Sequence, residues 1–200
     1  MRARLKRFRG DKDGMAAVEF AMLLPVLITL FFGVMEVALA LACRADVANV
    51  ASTAADLVAQ EKGVAAGDMT NVFAAASAIL YPYKTANVTI TVYSIVADNN
   101  NNATGKVAWS CTKVGDAVAA NGPTTPPPDS KGGDMIAASN LDANGNPQYG
   151  GSGSVILTTV SYSYTSPTMQ VLTKPITMQN TFYSKPRRTN AVTAPDSCAN

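Results

Sequence analysis

Glu19 stands five residues after Gly14 and directly before Phe20, inside an apolar run that extends over residues 14–44. A carboxylate at the middle of a bilayer costs roughly 2.5–3.5 kcal/mol, so one inside such a run asks for a reason. The chemistry open to it is charge pairing with a cation, which repays burial far better than an unpaired charge does. Snorkelling to the headgroups from one turn inside is the simpler alternative. Three thiols are the other reactive groups. Cys43 falls at the far end of the apolar run, whereas Cys111 and Cys198 lie in the body that follows. An oxidising compartment would permit a Cys111–Cys198 disulfide tying the C-terminal tail to a strand, with two unpaired thiols as the alternative. The chain contains no histidine, the commonest general base and metal ligand. Gly150-Gly151-Ser152-Gly153 is not followed by the Gly-Lys-Ser/Thr of a phosphate loop. These features point away from catalysis: no catalytic residues, no metal and no cofactor are expected.

The element that must carry Glu19 is a helix. Roughly 20 apolar residues cross a bilayer, and residues 15–43 exceed that. As a helix they would extend about 42 Å against a hydrocarbon core of about 30 Å, a difference that tilt absorbs. The run is too long for the 7–15-residue core usual in a cleaved secretory signal. Ala40-Leu41-Ala42-Cys43 superficially suggests an acylated cysteine, against which stand the length of the run and Ala40 itself. Pro25 removes one helical hydrogen bond and would bend the span. Glu36, roughly 30 Å beyond Met15, is expected at the outer interface, where a carboxylate is cheap. Before Gly14 stand Arg2, Arg4, Lys6, Arg7, Arg9 and Lys12 against Asp11 and Asp13. That excess holds this end in the cytoplasm, so residues 1–14 read as a basic cytoplasmic leader and the rest as a body on the far side of the membrane. Lipid headgroups, not nucleic acid, are the partner expected for it.

With these residues in view, a resemblance is evident. Gly14 followed by Met15-Ala16-Ala17-Val18-Glu19-Phe20 resembles the processing motif of type IV-like prepilins: Gly before the cut, Glu fifth after it, an aromatic sixth. The wider string DKDGMAAVEFAMLLPVLITLFFGVMEV is similar to the TadE-like (TadE/TadG) proteins of the tight-adherence (Tad, or Flp) pilus system. The closing string VSYSYTSPTMQVLTKPITMQNTFYSKPR resembles the end of the same proteins. The resemblance implies cleavage between Gly14 and Met15 by a prepilin peptidase, recognition through Phe20, and Glu19 meeting the new amine of a neighbouring subunit. It also implies other Tad pilus subunits and assembly proteins as partners. TadG-like relatives keep a similar anchor uncleaved.

Beyond the membrane, Val47, Ala51, Ala54 and Val58 recur at helical spacing over residues 44–60, which predicts one helix of some 45 residues ending before Gly63. A second helix is expected over 68–80, with Asp68 as its cap. Alternation then predicts strands at 87–96 and 106–112, joined by a turn at 98–102, with Trp109 as a core residue. Residues 115–153 read as a Gly/Pro-rich loop holding a short helix near Met135. Strands follow at 155–164 and 175–183, with a short helical connection at 166–172. The expected architecture is α+β: a long N-terminal transmembrane helix continuing into a domain (residues 44–200) with a small antiparallel sheet. The expected role is a non-enzymatic, minor pilin-like component of a tight-adherence pilus. An anchored adhesion or binding module outside any pilus is the alternative.

Overall fold

The computed structural model describes residues 13–97, 105–117, 120–128, 130–137, 153–166, 174–194 and 198. The basic residues before Lys12 and Lys12 itself, the turn expected at 98–102, nearly all of the connection expected at 166–172 and much of 115–153 lie outside them.

Helix α1 runs Asp13–Ala59, 47 residues without interruption. Its sequence is dominated by Ala, Leu, Met and Val, and Pro25 sits inside it. The Thr29 hydroxyl donates to the Pro25 carbonyl at 2.8 Å, a back-bond that suits a locally loosened turn. Packing divides the chain into two units, residues 1–41 with 165–174, and residues 42–164 with 175–200. In the first unit α1 exposes apolar side chains all round; Met15, Val18, Met22, Leu27 and Phe31 are each more than half exposed. This helix is long and apolar enough to cross a membrane, with a mean hydropathy of 2.4 over its most apolar window. Glu36 departs from expectation, because it is fully buried and not at a solvated interface. Its position along α1 is spaced by sevens and fours from Cys43, Val47 and Val50, which are also buried.

In the second unit the remainder of α1 buries Val47, Val50, Ala51, Ala54 and Val58 along one stripe. Helix α2 (Ala66–Ala78) buries Met69, Phe73 and Ala76, with Leu80 just beyond its end. Asp68 does not occupy the cap position expected of it. The carboxylate stands three residues inside and accepts the Ala65 backbone N–H at 3.0 Å. That satisfies the same orphan end from within the first turn.

Strands β1 (Val88–Val96), β2 (Lys106–Val114), β3 (Ala120–Asn121), β4 (Ser154–Tyr164) and β5 (Ile176–Ser184) form one sheet in the order β3-β2-β1-β4-β5. Every neighbouring pair is antiparallel. The expected hairpin is β1–β2, and the architecture is the expected α+β. Strand β1 is central and buried on both faces. On one face Val88, Ile90, Val92 and Trp109 join Ile156, Val160 and Tyr162 in the larger core. On the other, Tyr93, Ile95, Val107, Val155 and Leu157 pack under Ile136 of the short helix α3 (Gly132–Ala137). The segment leading to α3 crosses that second face. Ser110 donates to the Pro123 carbonyl at 2.7 Å, and the Lys131 N–H donates to the Tyr183 hydroxyl at 3.0 Å.

Candidate functional site

Gly14, Met15, Glu19 and Phe20 occupy the first two turns of α1. Met15 and Glu19 are four apart and therefore share a face of the helix, with Phe20 one position further round. Met15 and Phe20 are 59% and 58% exposed, and Glu19 is exposed with no partner among the described residues. A Cβ placed on Gly14 would meet nothing within 4 Å. Among the described residues, therefore, neither packing nor a left-handed backbone calls for glycine there.

The far end of the apolar run is a different environment. Cys43 is fully buried inside α1 and carries a free thiol. A cysteine acylated as a new N-terminus would have to interrupt this helix. Nearby stands a tyrosine cluster: Tyr83 packs edge-on against Tyr162 and Tyr164, with ring centroids 6.4 and 6.0 Å apart. Burial, reinforced by Cys43, holds the Tyr83 and Tyr162 phenols above their ordinary range.

The tail after β5 forms an arm over the body that the strand pattern did not reveal. The Arg187 N–H donates to the Ala59 carbonyl at 2.9 Å, and the Arg187 guanidinium pairs with Asp56. Thr193 exchanges backbone bonds with Lys62 and Val64. Trp109, 2% exposed, donates its indole N–H to the Val192 carbonyl at 2.8 Å. Trp109 is thus a core residue, not a ligand platform. The arm ends in a disulfide between Cys198 and Cys111, whose Cα atoms are 5.2 Å apart. Gly14, Met15, Glu19 and Phe20 belong to one unit and this disulfide to the other.

The sheet also carries a row of hydroxyls that alternation alone did not single out. Thr112, Thr91, Thr159 and Thr181 lie opposite one another across β2, β1, β4 and β5. The Thr91 and Thr112 hydroxyls are 3.0 Å apart. Only the register, which sequence does not state, brings the four together. Among the described residues no group of three or more His, Cys, Asp or Glu is placed to hold a metal.

Residues 14–56 match the family model of TadE-like proteins. The match takes in the whole of the Gly14–Phe20 motif and most of α1, and it leaves the sheet outside. A TadE-like segment implies a protein associated with the tight-adherence pilus and with other components of that system. The resemblance read from the sequence is borne out over the anchor. No curated protein matches the chain, and no solved structure does.

Proposed function

We propose that this chain is a minor pilin-like (pseudopilin) assembly component of a tight-adherence, type IV-like pilus. It acts without catalysis: α1 holds it in the inner membrane and packs against the helices of other subunits, while the body is presented on the far side. The observation that carries this reading is the TadE-like match enclosing Gly14, Met15, Glu19 and Phe20 on the outward-facing first turns of a membrane-length helix. The basic residues before Gly14 support an N-terminus in the cytoplasm. A Cβ on Gly14 would meet nothing within 4 Å among the described residues, which fits a glycine used in recognition by a prepilin peptidase. Cleavage there frees the Met15 amine at the end of the helix. Glu19 is then the carboxylate within lipid that gains most from meeting such an amine on a neighbouring subunit.

Two measurements test this. Sequencing the N-terminus of the mature protein in its native host should return Met15; an intact Met1 would remove the processing step and leave an uncleaved TadG-like anchor. Glu19→Ala should abolish piliation while the protein still inserts in the membrane. Normal piliation in that variant would sink the assembly role of the carboxylate.

A further inference from the structure

The two edges of the sheet are built differently. One ends in β3, only two residues long, laid beside Cys111 and Thr112 of β2. Strand β2 itself carries Lys106 and Lys113, and its pairing with β1 is bulged between Ser94 and Ile95. Short edge strands, lysines and bulges all discourage a further strand from adding. The opposite edge has none of these. Strand β5 reads ITMQNTFYS, nine residues with no charge, proline or glycine, and pairs with β4 without a shift from Ile156↔Ser184 to Tyr164↔Ile176. In an antiparallel pair alternate residues turn both N–H and C=O away from the neighbour. Among the described residues β4 is the one strand that pairs with β5, so those groups face outward.

A cleft opens beside this edge, lined by Ser52, Thr53 and Leu57 of α1 and by Phe182, with the Asp56–Arg187 pair at its rim. Phe182 is 41% exposed, and Ile176, on the same face of β5, is 39% exposed. An open edge supplies main-chain bonds to an extended peptide, and a flanking pocket selects alternate side chains.

The charges choose the occupant. Lys174 precedes β5, and Lys185 and Arg188 follow it, all exposed. A second β5 added antiparallel would set Lys174 against Lys185 and Arg188 of the other copy, and a parallel one would align like with like. Either arrangement opposes cations. We infer that β5 accepts an extended segment of a different protein, one with an apolar side chain for the Leu57–Phe182 cleft and Asp or Glu at its ends for Lys174 and Lys185. The inference goes beyond the pilus reading and does not depend on it.

The test uses the full-length chain in its host membranes, with p-benzoylphenylalanine placed at Phe182 and, as control, at the exposed Tyr81. After irradiation the cross-linked peptides are read by mass spectrometry. An adduct is expected at 182 and not at 81, joining a segment of another chain in which an apolar residue is flanked by Asp or Glu. The double variant Lys174→Glu, Lys185→Glu should cut its yield about fivefold or more while leaving the circular dichroism of Trp109 unchanged. No adduct, an adduct between two copies of this chain, a partner segment without acidic residues, or a yield indifferent to charge reversal would each overturn the proposal.

Discussion

Two glycines illustrate how differently one residue type is used in this chain. Gly115 adopts φ +55°, and a Cβ there would stand 2.8 Å from the Ala86 carbonyl oxygen. Its N–H donates to the Val88 carbonyl at 2.7 Å, closing the chain back onto the start of β1. Both the left-handed backbone and the close approach exclude a side chain. Gly115→Ala should therefore destabilise the body by about 1–3 kcal/mol, read from urea unfolding followed by Trp109 fluorescence. Gly14→Ala should leave that unfolding unchanged, since among the described residues nothing lies within 4 Å of a Cβ there, yet it should block release of Met15. A Gly14→Ala protein processed normally would detach Gly14 from recognition. At this scale the sequence proposes Gly14, Glu19 and Phe20 through their linear spacing, and mature-end sequencing and Glu19→Ala are what test them. It was silent on Gly115, whose need arises from Ala86, a residue far from it in the chain. It also misplaced Glu36, which is buried, because an axial distance along a helix does not state burial.

The elements were legible where one periodicity ran through many residues. The stripe Val47, Ala51, Ala54, Val58 and the alternation of β1 and β4 are such cases. The arm was not, for a physical reason. It is held by backbone groups of Arg187, Val192 and Thr193, and any residue type carries those. What fixes its end is the Cys111–Cys198 bridge, which spans a sequence separation of 87. Closing a loop of that size removes much entropy from the unfolded chain, on the order of 4–5 kcal/mol by chain statistics, with measured values commonly about 2–4 kcal/mol. The double variant Cys111→Ser, Cys198→Ser should lose about 2–4 kcal/mol of unfolding free energy. In it Trp109 emission should shift to the red as the Val192 carbonyl leaves the indole. If neither stability nor emission changes, the backbone bonds of the arm hold it unaided and the bridge is dispensable to the fold.

At the scale of the whole molecule, two units meet opposite demands. Met15, Val18, Met22, Leu27 and Phe31 of α1 show apolar side chains outward, which suits lipid; the second unit turns its apolar side chains in around a sheet covered on both faces. The interior of that unit also holds tyrosines on both sides of the sheet. Tyr93 lies under α3, and Tyr83 and Tyr162 lie on the opposite side. Burial raises all three phenols above the ordinary value of 10.0. For Tyr93 burial is the sole cause. The neutral phenol is thus favoured by the fold. Once pH exceeds the unfolded value near 10 the unfolded chain gives up these protons before the native one does. The contribution is fully present below that pH and is lost as pH rises through the higher native values. Urea unfolding should consequently show stability falling above about pH 10. Tyr93→Phe removes one of these protons, so its stability should decline less over the same interval, whatever the substitution costs at neutral pH. If Tyr93→Phe and the unsubstituted protein lost stability in parallel above pH 10, the buried phenol under α3 would not be what couples this fold to alkaline pH.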